Sequence, residues 1–225
     1  MARQLIGVLG YVALFAFFLF VPAGTLHWRA AWILLAVLLF ARMLSAARLW
    51  MVQRELAVER TKLPIQRGQT AADRPLVLLF MATFAALVGF ASFDLWHLHL
   101  LPTLAPSLRV IGLAIFALGW WVVYLALSAN AYAVCVVRLQ EERGHRVAEG
   151  GLYRHVRHPM YAGLVLVMFG LSTWLGSTAA VIAALVPVLV LVVRIIFEER
   201  MLRTRLTGYG EYAGRVRWRL VPGVW

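Results

Sequence analysis

Charge is scarce in this sequence. Only 14% of its 225 residues are charged and 63% are hydrophobic, whereas soluble domains carry about 25% charged residues, so an ordinary soluble globular domain is excluded. Cysteine is nearly absent as well. The single Cys135 leaves no intramolecular disulfide and, without neighbouring cysteines, no cysteine-based metal site. The solvent for most of this chain is therefore lipid.

Two sequence signatures are also missing. Gly150 and Gly151 form an isolated pair without a flanking strand, so no glycine-rich nucleotide fingerprint is present and a Rossmann cofactor site is excluded. The alternating apolar and polar segments that build a membrane β-barrel are absent too. Acidic residues are few, 10 against 22 lysines and arginines. Membrane topology and anionic lipid headgroups account for this excess, so no nucleic-acid partner is predicted.

Long apolar runs are abundant. A helix needs about 20 apolar residues to cross about 30 Å of hydrocarbon, and four runs come near that length: Leu5–Val21, Ala30–Leu49, Leu76–Phe93 and Leu108–Ser128. We therefore predict four membrane-spanning helices in residues 1–129, with the first run retained as a span rather than removed as a signal peptide.

A fifth apolar region needs a different interpretation. Met160–Val193 contains no charged residue and, at 1.5 Å per residue, would be too long for one straight crossing. The small and hydroxyl residues of Ser172–Thr178 mark a turn, so we predict a hairpin of two short helices, the second kinked by Pro187. An alternative is a hairpin that crosses the bilayer only in part. The predicted fold class is an all-α polytopic transmembrane helix bundle with five to six spans.

Basic residues alternate between the predicted connections. Nineteen of the 22 lie near the N-terminus or within Arg42–Arg74, Arg138–Arg157 and Arg200–Arg219, whereas the short connections between them carry only Arg29 and Arg109. Lysine and arginine are retained on the cytoplasmic side of membranes. We therefore predict an integral, multi-pass membrane protein whose termini and long basic loops are cytoplasmic.

Polar residues concentrate just ahead of the fifth apolar region. Pro159 precedes it directly, and proline is favoured at the first position of a helix. The free N–H groups and the positive dipole of that helix end suit an anionic group of a small ligand, with Arg157 and His158 beside it. Alternatively, these residues are interfacial anchors whose arginine side chains reach towards the headgroups.

A second polar cluster ends the last apolar run. Arg194 and Glu198 lie four residues apart and share a helix face. A salt bridge at the membrane edge is the ordinary explanation, but ionisable residues at the end of a span are also functional candidates. If the hairpin closes, it brings this cluster next to the first one.

The order of motifs in the C-terminal part resembles a known family. Gly151–Gly163 contains Arg-His-Pro-Met-Tyr, the pair Glu198 and Glu199 follows, and Tyr209–Tyr212 and Arg217–Trp225 complete the set. This arrangement is similar to the isoprenylcysteine carboxyl methyltransferases. These are membrane enzymes that use S-adenosylmethionine and are related to phospholipid methyltransferases. The resemblance covers roughly residues 140–225.

The resemblance implies where the cofactor and its acceptor bind. It makes residues 130–225 the cofactor-binding and catalytic region, with Arg194 facing the methyl acceptor. We expect no metal. The aromatic residues of the tail either cover the cofactor or anchor the tail in the interface: Tyr209, Tyr212, Trp218 and Trp225. The cofactor-binding residues that it implies are Gln140, His145, Arg146, Val147, Ala148, Tyr153, His158, Pro159, Met160, Tyr161 and Glu198.

The expected reaction is methyl transfer to a lipid carboxylate, which gives a methyl ester. An anionic acceptor needs no general base, whereas an amine acceptor, as in phospholipid N-methylation, would need a proton acceptor, for which His158 is the nearest group. Two further alternatives stay open: a sterol-type membrane reductase that uses NADPH and shares the Arg-His-Pro-x-Tyr motif, and a non-enzymatic membrane protein. The acceptor is expected to enter from the bilayer and the cofactor from the cytoplasm.

Overall fold

The regular secondary structure of the computed structural model is helical in its described residues, as predicted. The structure describes residues 2–62, 64–66 and 68–225, with side chains from residue 4 onward, so Arg67 of the predicted basic loop lies outside the described residues. Within this part, the only β pairing is an isolated antiparallel bridge between Gln69 and Arg138. The helices are α1 (Ala2–Ala23), α2 (Arg29–Val52), α3 (Arg54–Glu59), α4 (Asp73–Phe93), α5 (Pro106–Ala129), α6 (Pro159–Leu175), α7 (Thr178–Ala183), α8 (Leu185–Arg205) and α9 (Tyr209–Arg215).

Most of these helices are long and apolar enough to cross a membrane. Five segments meet that condition: Gln4–Ala23, Arg29–Val52, Asp73–Leu98, Pro106–Ala129 and Thr178–Arg205. The apolar helix α6 has 17 residues, which gives a length of about 25 Å, slightly less than the ~30 Å hydrocarbon core. The prediction of an all-α polytopic bundle with five to six spans is confirmed.

The turn between α6 and α7 lies where the small residues predicted it. Gly176 ends α6 with a left-handed φ of 98°, and the hydroxyl of Ser177 caps α7 by accepting a hydrogen bond from the Ala180 N–H at 2.9 Å. The second limb is interrupted at Ala184, one turn before Pro187. Proline has no N–H to donate to the carbonyl four residues earlier, so the helix is disturbed there.

The two limbs of this hairpin differ from the matched short pair that we predicted. α7 and α8 together form a segment of 28 residues that is long enough to span. α6 packs mainly on α5, whereas α8 packs on α4. Each limb therefore buries its apolar surface against a different helix of the N-terminal part.

The contact between α5 and α6 is the most extensive in the bundle. A methyl group added at Gly170 would lie 2.4 Å from the backbone nitrogen of Phe116, and one at Gly119 would lie 2.7 Å from that of Val167. Only glycine permits so close an approach of two helix backbones. The contact is lined by four glycines at seven-residue spacing: Gly112 and Gly119 on α5, and Gly163 and Gly170 on α6.

Hydrogen bonds group the connections at two ends of the bundle. At one end, the Ser177 hydroxyl donates to the Asp94 carboxylate at 2.5 Å. At the other end, the Gln53 side chain donates to the Ser128 carbonyl at 2.8 Å. The weakly charged short connections share the first end and the long basic loops share the second, as the alternation of basic residues predicted.

Two of the basic residues that we assigned to the first long loop belong to α2 instead. α2 continues to Val52, so Arg42 and Arg48 lie within it. The residues from Arg42 to Val52 are good helix formers for the most part, and nothing in them ends the helix at the edge of the apolar run. Arg42 lies ten residues before the end of α2, about 15 Å along its axis.

Candidate active site

A cleft opens at the end of the bundle that carries the basic loops. Its walls come from the connection between α5 and α6, the start of α6, the end of α8, and α9. The close pairing of α5 and α6 fixes one side of this cleft.

Most of the predicted cofactor residues line this cleft. These nine come from three separate stretches of the chain: His145, Arg146, Val147, Ala148, Tyr153, His158, Met160, Tyr161 and Glu198. Pro159 is buried at the first position of α6. Gln140 is fully buried and does not line the cleft. Its side chain stabilises the connection between α5 and α6, since its amide nitrogen donates to the Tyr132 carbonyl at 2.8 Å and its amide oxygen accepts from Arg143.

A buried carboxylate, Glu199, ties the start of α6 to the C-terminal tail. It accepts hydrogen bonds from Arg157 Nε at 2.7 Å and from Arg219 Nε at 3.1 Å, and it lies 3.1 Å from His158 Nε2. Arg157 also donates to the backbone carbonyls of Ala213, Val216 and Arg217. Because a buried charge needs a partner, this network fixes the tail against the cleft.

The neighbouring carboxylate, Glu198, faces the cleft. It is half-buried and accepts a hydrogen bond from the Tyr161 hydroxyl at 2.6 Å. The Tyr161 ring stacks on His158, with 5.6 Å between centroids and 10° between planes. Glu198 and Glu199 thus have different roles, one oriented into the cleft and the other holding its wall.

Arg194 pairs with Asp73 and not with Glu198, the partner that helix spacing indicated. Arg194 Nε donates to Asp73 Oδ1 at 2.8 Å, and Nη2 donates to the Cys135 carbonyl at 2.6 Å. The other oxygen of Asp73 accepts from the Val137 N–H at 2.7 Å and from Gln69 Nε2 at 2.8 Å. Asp73 thereby joins α4, α8 and the cleft wall in one buried network.

Arg194 itself lies behind the cleft lining rather than in it. Its Cζ is 5.7 Å from the centroid of the Tyr161 ring, and Tyr161 is the residue that separates it from Glu198. Among the described residues, Nη1 of Arg194 has no hydrogen-bond partner.

The chemistry of the cleft fits S-adenosylmethionine, which combines a flat base with hydroxyl, ammonium and carboxylate groups. The Tyr132 and His145 rings stack at 4.4 Å and present an aromatic surface. Glu198 supplies an acceptor for hydroxyl or ammonium groups. The Tyr209 hydroxyl borders the cleft and is buried without a hydrogen-bond partner in the described part of the chain, as expected for a group that a ligand would satisfy.

Burial keeps His145 neutral. Its desolvation, together with the nearby Arg143 and Arg138, lowers the pKa of the His145 imidazole to about 4. Its Nδ1 accepts a hydrogen bond from the Gln140 N–H at 3.3 Å, which a protonated ring could not do. Burial also raises the pKa of the Tyr153 phenol to about 12, so this hydroxyl stays protonated and accepts from Asn130 at 3.2 Å.

This neutral histidine predicts an acid-sensitive loop. The folded-state pKa of about 4 lies below the ordinary ~6.5, so the unfolded chain binds more protons between these values and stability rises with pH there. The stabilisation is complete above about pH 6.5 and is lost as the pH falls towards 4. We expect the melting temperature to fall between pH 6.5 and 5, and to fall less in His145→Phe, which keeps the stacked ring.

The exposed His155 on the same connection supplies the control, since His155→Phe should melt like the parent. If the melting temperatures of the two variants depended equally on pH, the assignment to His145 would be wrong.

The aromatic residues of the C-terminal tail lie in two different places. Tyr209 and Tyr212 line the cleft, and the Tyr212 hydroxyl donates to the Tyr153 carbonyl at 2.8 Å. Trp225 instead accepts, through its carbonyl, from the Arg219 N–H at 2.8 Å, and its ring lies 5.0 Å from the Arg219 guanidinium. The end of the tail therefore closes on itself and buttresses Arg219 rather than facing the cleft.

Sequence reasoning did not single out Asp73 or Tyr132. The position of Asp73, an acidic residue in a basic loop immediately before an apolar helix, was the available signal. Nothing in the sequence indicated that its partner would be Arg194, 121 residues away. Tyr132 carried no signal, because an aromatic residue next to a membrane helix is ordinarily an interfacial anchor.

Comparison with known families agrees with this geometry. Residues 108–207 match the family model described as phospholipid methyltransferase, a stretch that runs from α5 to the end of α8 and includes most of the cleft. No curated protein matches the chain. The apolar helices and this match together make the chain an integral membrane protein. Residues 108–207, a little less than half of the chain, are therefore similar to phospholipid methyltransferases, which are related to the isoprenylcysteine carboxyl methyltransferases that the motifs resemble.

Proposed function

We propose that this protein transfers a methyl group from S-adenosylmethionine to a lipid acceptor. The observation that carries the proposal is the convergence of three chain segments on one cleft at a bundle end. These are the residues 145–148, the Tyr153–Tyr161 stretch and Glu198. A cleft at the ends of membrane helices is open to a polar cofactor from water and to an apolar acceptor from the bilayer.

The residues of the cleft bind and orient rather than react. When bound, S-adenosylmethionine supplies an electrophilic methyl group on a sulfonium. Alignment of two reactants is worth about 7–11 kcal/mol in favourable cases, so positioning is the main task of the protein. In this proposal, Tyr132 and His145 hold the base, Glu198 holds hydroxyl or ammonium groups, and Tyr209 and Tyr212 exclude water.

Exchange of Glu198 for glutamine tests the cofactor site directly. Glu198→Gln keeps the shape but removes the charge, so we expect affinity for S-adenosylhomocysteine to fall by about 1.5–3 kcal/mol, the range for hydrogen bonds to charged groups. Isothermal titration on the detergent-solubilised protein measures this change. Glu211→Gln on α9 is the matched control, because Glu211 is exposed.

The same titration separates the proposal from a reductase. Binding of S-adenosylhomocysteine without binding of NADPH supports the methyltransferase, and the reverse result would replace it by the reductase. Unchanged affinity in a folded Glu198→Gln protein would remove Glu198 from the site.

For the acceptor, we propose a lipid carboxylate. Arg194 Nη1 is a cationic donor behind Tyr161, and a carboxylate bound to it would need no general base. However, Nε and Nη2 are already engaged, so Arg194 offers one nitrogen instead of the bidentate fork that arginine usually presents to a carboxylate. The family match to phospholipid methyltransferases favours an amine acceptor as the second candidate, with His158 accepting the proton.

Labelled methyl groups distinguish these two acceptors. The protein is incubated with methyl-labelled S-adenosylmethionine and a total lipid extract, and the lipid fraction is then treated with mild base. A methyl ester releases its label as methanol, whereas an N-methyl group keeps it. Base-stable label would therefore overturn the carboxylate acceptor, and absence of lipid label would leave a non-enzymatic membrane protein.

The basic end of the bundle is proposed to face the cytoplasm, together with both termini. Lysine and arginine accumulate on that side, and the basic connections share one end. The exposed positions Glu141 and Ser107 lie at opposite ends. In a Cys135→Ser background, we expect Glu141→Cys to react with a membrane-impermeant maleimide only in inside-out vesicles, and Ser107→Cys only in right-side-out vesicles. Labelling of both positions from one side would contradict this topology.

A further inference from the structure

Arg42 lies in the bundle with aromatic rings beside it but, among the described residues, with no hydrogen-bond or ionic partner. It belongs to α2, about 15 Å before the end of that helix. In the described part of the chain, its guanidinium forms no salt bridge and no hydrogen bond, and its Nε is buried and unpaired. An arginine at membrane depth is costly and ordinarily pairs with an acid or lines a functional site. This one has no acidic partner and lies outside the cleft described above.

A second unpaired donor lies beside it. The indole Nε1 of Trp120 on α5 is buried and has no acceptor among the described residues, and the guanidinium of Arg42 lies 5.7 Å from the Trp120 ring. It also lies 4.8 Å from the ring of Tyr11 on α1, whose hydroxyl makes no hydrogen bond with the described residues. Guanidinium and indole groups only donate. The group that completes this site must therefore be an acceptor, and beside a cation it is an oxyanion.

The surrounding charge is positive. The positive charge of Arg60 lies close enough to repel that of Arg42. The Arg60 guanidinium is fixed there by the hydrogen bond that it donates to the Ala133 carbonyl at 2.7 Å. No carboxylate of the described chain neutralises Arg42. An anion that reaches this depth of a bilayer carries an apolar tail, so the ligand chemistry is that of an anionic lipid.

α1 and α5 make little direct contact with each other. α1 packs on α2 and α4, whereas α5 packs on α2 and α6. Between α1 and α5, the rings of Tyr11 and Trp120 meet edge to face at 6.4 Å. The adjacent outer surfaces carry exposed apolar side chains, among them Leu14 and Trp121. An acyl chain could therefore lie along this surface with its headgroup at Arg42.

The unpaired donors also adjoin the back of the cleft. Cys135 lies within electrostatic range of Arg42, and its carbonyl is the group that accepts from Arg194. The residues on either side of it, Val134 and Val136, line the cleft. A lipid anchored at Arg42 would thus lie next to the wall that Arg194 supports.

We propose that Arg42, Tyr11 and Trp120 form an intramembrane binding site for the oxyanion of a lipid headgroup, either a carboxylate or a phosphate. Only the identification of this lipid as the methyl acceptor rests on the proposed function. The site itself does not depend on methyl transfer.

Lipid binding tests the site without any reaction. Purified protein in a neutral detergent is titrated with oleate and with dioleoyl phosphatidate, and occupancy is read by native mass spectrometry. Methyl oleate and dioleoylglycerol, the matched neutral lipids, serve as references. We expect at least tenfold tighter binding of one or both anionic lipids than of their neutral counterparts. Preference for oleate identifies a carboxylate, and preference for phosphatidate identifies a phosphate.

Three variants locate the binding. Arg42→Leu should lose at least tenfold in affinity for the anionic lipid, and Trp120→Phe, which keeps the ring but removes the indole N–H, should lose about threefold. Arg54→Leu is the control, because Arg54 is an exposed arginine stacked on Trp50 at 4.5 Å. Equal affinities of Arg42→Leu and Arg54→Leu, or equal binding of charged and neutral lipids, would overturn the site.

Measurement of cofactor binding distinguishes a failure of the lipid site from a failure of the proposed function. Arg42→Leu should bind S-adenosylhomocysteine within twofold of the parent. Loss of lipid binding with cofactor binding intact supports the site. Lipid binding by a protein that binds no S-adenosylhomocysteine would retain the site and overturn only the methyltransferase proposal.

Discussion

Replacement of Glu199 by glutamine is expected to destabilise the protein by about 3–5 kcal/mol, the cost of breaking a buried ion pair by removing one partner. Glu199 is 3% exposed and accepts from both Arg157 and Arg219. The amide cannot neutralise either guanidinium. The Arg157 side chain would then be left buried without a counter-charge, so the tail that it binds should detach and Tyr209 and Tyr212 should leave the cleft.

Thermal unfolding in detergent measures this effect. Glu211→Gln removes the same charge from an exposed position on α9, and its melting temperature should match that of the parent. S-adenosylhomocysteine should also raise the melting temperature of Glu199→Gln less than that of the parent, because the cleft has lost one wall. A Glu199→Gln protein that melts like Glu211→Gln would show that the network contributes little to stability.

Replacement of Asp73 by asparagine should have an effect of similar size, about 3–5 kcal/mol, for the same reason. Asp73 is 1% exposed, and its carboxylate is the partner of Arg194 at 2.8 Å. A double-mutant cycle isolates the pair. If Arg194→Gln is combined with Asp73→Asn, the double variant should be more stable than the sum of the single losses predicts, with a coupling of about 0.5–3 kcal/mol. Additive losses would contradict a direct interaction.

Arg194→Lys separates a structural from an orienting role. Lysine keeps the charge beside Asp73 but loses the planar group that also reaches the Cys135 carbonyl. If Arg194 only stabilises the fold, Arg194→Lys should keep most of its methyl transfer. If Nη1 orients a carboxylate, methyl transfer should fall strongly while affinity for S-adenosylhomocysteine barely changes.

Local sequence patterns predicted the structure correctly where it depends on a single segment of the chain. Met160–Val193 had to bend because it was too long for one crossing, and the bend lies at Gly176 because glycine alone adopts its positive φ without strain. The ionic partner of Arg194 on α8 could not be predicted in the same way. Helix spacing offered Glu198 as the partner of Arg194, but a neighbouring helix supplied Asp73. Charge pairing inside a bundle depends on which helices pack together, and that is a property of the whole fold.

The residues that line the cleft were also easier to predict than the residues that stabilise its walls. The residues of the Arg-His-Pro-Met-Tyr motif and Glu198 are near the helix ends in the sequence, so a closing hairpin was enough to bring them together. Gln140 shares the motif region but faces away from the cleft, because its amide groups are needed by the Tyr132 and Arg143 contacts behind the loop. Sequence order does not reveal which side of a loop a side chain faces.

The sequence by itself determined that this chain is a helical membrane protein with its basic connections at one end, because hydropathy and charge act locally on each segment. It also carried motifs that resemble those of membrane methyltransferases. Only the tertiary structure decided that Asp73 holds Arg194, that Glu199 anchors the tail, and that Arg42 lies beside Trp120 with no hydrogen-bond partner among the described residues. These are relations between residues on different helices, and they arise from how the helices pack, which no single segment specifies.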